Sequence, residues 1–134
     1  MTMKLFIAHK VSGEDYAKLK RDVIKVCTAL REVGHKCYCS FLDGKMRKEA
    51  NKKIKIENAF SKINESDGIL AIVKSDEKSE GMLIEVGYAK AKGKKIVLLI
   101  NKDINDNYIG AIATKIIEFD ELNDVYDKMG AEVR

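Results

Sequence analysis

The chain has 134 residues, 46% hydrophobic and 34% charged, which is enough for one domain with a real core and too little for two. Its net charge of +4 allows an anionic ligand but falls short of a nucleic-acid-binding surface. No apolar run approaches the roughly 18 residues of a membrane span, and Leu5 to Ala8 is too short for a signal peptide. Three cysteines, Cys27, Cys37 and Cys39, are an odd number without a disulfide framework, so a reducing cytoplasm is the expected setting.

Lys4 to His9, "KLFIAH", reads as a short apolar strand. A helix follows, with Tyr16, Leu19, Val23, Val26, Cys27, Leu30 and Val33 recurring every three or four residues. Ser12 is its expected N-cap and Gly34 its stop. Lys36 to Phe41 reads as a second strand, with Cys37 and Cys39 on one face and Tyr38 on the other. Lys45 to Ser66 is expected to be mostly helical, with Ile54, Ile56, Ala59, Phe60 and Ile63 as its apolar set. Its lysines read as a solvated face, and no aromatic residues interleave with them for base stacking.

Gly68 to Val73, "GILAIV", is a continuous apolar run, as in a central parallel strand buried on both faces. Glu80 to Lys92 follows as a helix capped by Ser79 and ended by Gly93. Lys95 to Ile100 is another apolar strand, Tyr108 to Ala113 a short helix, Lys115 to Phe119 a last strand and Asp120 to Met129 a last helix. Five βα units predict one α/β domain over residues 1–134: a three-layer α/β/α sandwich on a five-stranded parallel sheet, flavodoxin-like or Rossmann-like.

Ligands of such sheets bind at the carboxyl ends of the strands, near the topological switch point. The loops to watch are His9 to Asp15, Lys74 to Gly81 and Asn101 to Tyr108. His9 ends a strand at that edge. Ser12 and Gly13, just before a helix, suit an anion such as a phosphate, although neither GxxxxGK[ST] nor GxGxxG is present. No CxxC or HxxxH occurs, so no metal is expected.

Glu85 is the residue that local structure explains least. It lies too far into its helix to gain much from the dipole. Leu83, Ile84, Val86 and Ala89 around it suggest a buried helix. Either it faces solvent and pairs with Lys90, or it is a partly buried carboxylate with a chemical purpose.

The stretch from Ile63 to Ile100, with Ser79, then Glu85 six positions later, then Val86-Gly87-Tyr88-Ala89 and "AKGKKIVLLI", resembles the nucleoside 2-deoxyribosyltransferase family and its relative 2′-deoxynucleoside 5′-phosphate N-hydrolase. The resemblance implies that Glu85 attacks the anomeric carbon of a nucleoside or its 5′-monophosphate and expels the base. It implies that Ser79 contacts the sugar or phosphate; Gly81 beside it, Ser12 and Gly13 as phosphate candidates, and His9 and Asn58 as further contacts complete the expected site. It implies no cofactor, a homodimer or higher homo-oligomer, and a contribution from the neighbouring subunit through Asn107 or Tyr108. The chain departs from the family pattern in one respect. The acid usually found eight residues before Asp67, which handles the proton of the leaving base, is Ala59 here.

"FIAHKVSGED" and the Ser79 to Glu85 spacing are also similar to TIR domains, some of which cleave NAD, but Gly81 and Met82 replace the Trp-Cys usual between the two residues there. A nucleotide-binding sensor that has lost turnover is the non-enzymatic alternative, suggested by Ala59.

Overall fold

The computed structural model describes residues 2–77, 79–105, 108–126, 129 and 133. Five parallel strands form one sheet in the order β2-β1-β3-β4-β5: β1 (Lys4–His9), β2 (Lys36–Tyr38), β3 (Gly68–Val73), β4 (Lys95–Asn101) and β5 (Lys115–Phe119). This is the flavodoxin-like order, and its switch point lies between β1 and β3. The expected α/β sandwich is therefore the observed fold.

Alternation along the strands divides the core into two layers. Leu5, Ile7, Leu70, Ile72, Val97 and Leu99 face α1 (Tyr16–Glu32), which presents Leu19, Val23, Val26 and Leu30. Phe6, Ala8, Ile69, Ala71, Ile96 and Leu98 face the opposite layer. That layer comprises α3 (Lys52–Asn64), α4 (Glu80–Ala91) and α5 (Tyr108–Ile112). β3 is buried at every position, because both of its faces are covered.

Several boundaries differ from the sequence expectation. Asp15, not Ser12, caps α1, its carboxylate accepting from the Lys18 amide at 3.0 Å. Gly13, at φ +78°, sets the turn that keeps the chain non-helical until then. β2 ends at Tyr38, because the Cys39 carbonyl accepts from Leu42 and Asp43 amides and turns the chain away from β1.

The expected helix from Lys45 to Ser66 is two helices, since a second cap falls inside it. Asp43 caps α2 (Gly44–Lys48), and Asn51 caps α3. Of the expected last helix, Leu122–Asp124 form a 3₁₀ turn, Tyr126 and Met129 are helical with the Met129 amide bonded to the Val125 carbonyl at 2.8 Å, and residues 127 and 128 lie outside the described ones. Gly34 and Gly93 follow α1 and α4 as expected.

Candidate active site

The carboxyl ends of β1, β3 and β4 carry three loops, and α4 starts directly beneath the second. Ser79 caps α4: its Oγ accepts from the Met82 amide at 3.3 Å, which uses only an oxygen lone pair. The Leu83 amide bonds the Ser79 carbonyl at 3.0 Å. The Glu80 and Gly81 amides of the first turn thus point out of the helix end, where the dipole favours an anion. Nothing lies within 4 Å of a side chain built on Gly81, so the approach to this turn is open. A cleft beside it is lined by Val73, Ser75, Ser79, Met82, Leu83 and Tyr108.

Glu85 sits one and a half turns into α4. Met82, Val86 and Ala89 turn to the sheet and are buried. Helical geometry puts Glu85 beside that stripe, on the same side as Tyr88. Tyr88 stacks on Phe60 of α3, with ring centroids 4.0 Å apart and 14° between planes. The carboxylate therefore projects along the α3 side of α4, half-buried. Among the described residues no ion pair joins it to Lys90. Burial alone pushes its pKa up to about 7. Leu83 and Ile84, expected to be buried beside it, are 41% and 46% exposed.

Near Glu85 the chain places a neutral thiol, which in turn meets a neutral ring. Cys39 is close enough for the Glu85 carboxylate to add to the effect of burial, which pushes the thiol up to about 12. The Cys39 sulfur lies 3.4 Å from His9 Nε2, and His9 Nδ1 lies 3.1 Å from the Lys10 carbonyl. A carbonyl only accepts, so Nδ1 carries the hydrogen and Nε2 accepts from the thiol. Burial lowers the His9 pKa, in keeping with a neutral ring. His9 thus stands at the expected edge with both ring nitrogens engaged by the protein.

The other expected contacts are dispersed. Asn58 faces away from α4: its Nδ2 donates to Tyr38 Oη at 2.9 Å, and Tyr38 donates to Asp43 Oδ2 at 2.7 Å. That bond, with the two α2 amides Asp43 also caps, holds the Asp43 pKa below the usual carboxylate value. Ser12 and Gly13 are exposed in the β1–α1 loop. Asn107 lies outside the described residues, and Tyr108 is 82% exposed. Ala59, where an acid was expected, is 2% exposed in the apolar layer with Ala8 and Ala71.

Sequence reasoning missed Lys10 and Lys74. Both stand at the switch point, Lys10 Nζ 2.9 Å from Glu77 and Lys74 Nζ 3.3 Å from Asp22. Their position just after β1 and β3 was the available signal. No group of three or more His, Cys, Asp or Glu residues able to hold a metal occurs among the described residues. Nor is any helix there long and apolar enough to cross a membrane.

Comparison with known proteins follows the same lines. The chain superposes on a CMP N-glycosidase, BcmB, from Clostridium botulinum with a TM-score of 0.71, at 19% identity over 96% of this chain and 98% of that one. It superposes on a 2-deoxyribosyltransferase from Bacillus psychrosaccharolyticus with a TM-score of 0.67, at 20% identity over 97% and 95%. A conserved protein from Enterococcus faecalis V583 gives 0.70 at 13% identity, over 99% and 98%. No curated protein matches the sequence. The family model for nucleoside 2-deoxyribosyltransferase matches residues 7–120, and the chain belongs to that family.

Proposed function

We propose that this protein is an enzyme that cleaves or transfers at the N-glycosidic bond of a nucleoside or its 5′-monophosphate, with Glu85 as nucleophile. The observation that carries the reading is Glu85 itself: a half-buried carboxylate on α4, near the switch-point edge, with a pKa raised to about 7 by burial alone. Stability gives no reason to bury an acid there, whereas a nucleophile facing a sugar does. Family membership supports the reaction class.

In this mechanism the ionised Glu85 oxygen attacks C1′ as the bond from C1′ to the base nitrogen breaks. The electron pair leaves with the base, which takes up a proton. Water or a second base then displaces the carboxylate from C1′. The neutral Cys39 near Glu85, and the neutral His9 that contacts Cys39, add no competing charge. Ser79, Gly81 and the open amides of α4 hold the sugar or its 5′ substituent. Lys10, Ser12 and Gly13 supply the positive and amide-rich side for a phosphate. Asn58, bonded to Tyr38, supports the wall of the site rather than the reacting atoms.

The site is completed by a second copy of the chain. Tyr108 at its rim is 82% exposed, and Ile54, Leu83 and Ile84 on the same helical layer are 41–46% exposed. Large apolar side chains gathered on one layer favour association. The free cysteines suit the cytoplasm.

The test is chromatographic. Purified protein is incubated with each deoxynucleoside 5′-monophosphate, with CMP, with the matching nucleosides with and without an acceptor base, and with NAD. Base release or exchange that vanishes in Glu85→Ala is the expected result. Nicotinamide release instead would assign the TIR-like activity, and ligand-induced stabilisation without product would assign a sensor.

A further inference from the structure

Where β1 and β3 end side by side, cations and carboxylates meet in a small cleft lined by Lys10, Glu14, Lys74, Ser75 and Glu77. Lys10 Nζ lies 2.9 Å from Glu77 Oε2 and also donates to the Ser12 carbonyl. The Lys10 side chain is 18% exposed, whereas that of Glu77 is 72% exposed. The cation is thus built into the β1 edge, and the carboxylate is the outer, replaceable member of the pair. Lys74 is separately matched by Asp22 at 3.3 Å. The bridge ties the β1–α1 loop to the β3–α4 loop, and two residues beyond Glu77 comes the Ser79 cap.

We propose that Glu77 is a specificity-determining residue: its carboxylate occupies on Lys10 the place of a substrate's 5′-phosphate, which binds by displacing it. The inference rests on the proposed function for its substrate class. Displacement exchanges one anion for another on the same ammonium, so no proton or covalent bond changes hands. A phosphate dianion carries more charge and more acceptor oxygens than a carboxylate and wins the exchange. A neutral 5′-hydroxyl does not, so a bare nucleoside leaves the two loops joined. An exposed pair of this kind is weak, so Glu77 sets a modest threshold rather than a block.

Titration with inorganic phosphate, followed by thermal shift and calorimetry, tests this without turnover. Glu77→Gln is expected to bind phosphate about two- to five-fold more tightly than the wild type, the range that an exposed ion pair is worth. Asp76→Asn removes the same charge from the neighbouring residue without touching the bridge and is expected to change affinity less. Lys10→Met is expected to abolish the response, with or without Glu77→Gln. A wild type that does not respond to phosphate would overturn the proposal, as would a Glu77→Gln gain no larger than that of Asp76→Asn. In the active enzyme, Glu77→Gln should raise kcat/KM for a 5′-monophosphate and leave that for the nucleoside unchanged. Because the phosphate titration needs no product, its outcome is independent of whether base release is found.

Discussion

Tyr88 lies flat on Phe60, 4.0 Å between centroids, three residues beyond Glu85 on the same side of α4. The stack pins α4 to α3 and fixes the direction of the carboxylate. The acid is half-buried, and the burial has a thermodynamic cost. The folded-state pKa is about 7 against an ordinary 4.5, so the folded protein holds a proton that the unfolded chain releases between those values. Stability therefore falls as pH rises from about 4.5 through 7. Glu85→Gln removes this loss. Its Tm should match the wild type near pH 4.5 and exceed it at pH 8, by up to about 3 kcal/mol in unfolding free energy before discounting for partial solvation. Denaturant melts at the two pH values check it. Base release should vanish in the same variant.

The same pKa sets the rate profile. In the proposed role Glu85 attacks as a carboxylate, so kcat/KM should rise with pH and level off above about 7. His9 titrates in a similar range when free, but here burial lowers its pKa. The rising limb should therefore survive His9→Asn. A limb that disappears with His9 would transfer the titration to the imidazole.

The sheet was legible because β3 and β4 read as unbroken apolar runs, and burial on both faces is the usual reason for such runs. Leu70, at 0% exposure in the middle of β3, should cost about 2–5 kcal/mol when cut to alanine. Ile54, grouped with the apolar set of α3 from its spacing, is 44% exposed. Ile54→Ala should cost about 0.5 kcal/mol or less in the monomer. Equilibrium unfolding of the two variants checks both the core and the boundary of what periodicity can show.

Less of the site was legible, for identifiable reasons. Glu85 and Ser79 stand on one helix, so spacing and helical geometry relate them without tertiary knowledge. Lys10 and Glu77 are separated by most of a βαβαβ unit, and only the strand order brings them to 2.9 Å. The chain from Asn58 through Tyr38 to Asp43 likewise joins three elements. Ser12 looked like a cap because its residue type suits one. Asp15, three residues later, suits one equally, and the Gly13 turn decides between them. Leu83 and Ile84 misled because apolar residues beside a buried stripe read as part of it, although the helix turns them outward.

Ala59 offers the sharpest separation of stability from chemistry. It is 2% exposed, in the layer with Ala8, Ala71, Met82 and Val86. An aspartate there enters apolar surroundings on the helix that borders Glu85, so its pKa should be raised and the acid form retained near neutrality. The larger polar side chain should lower stability by about 1–3 kcal/mol. If the leaving base departs unassisted in the native protein, Ala59→Asp should raise the rate of base release toward the ~10²-fold that general acid assistance supplies at its lower end. Ala59→Asn is the control, with nearly the same volume, a similar loss of Tm and no proton to give. A rate gain in the aspartate variant alone identifies proton delivery as the step that this chain lacks. Equal rates in both variants identify a native donor elsewhere in the site.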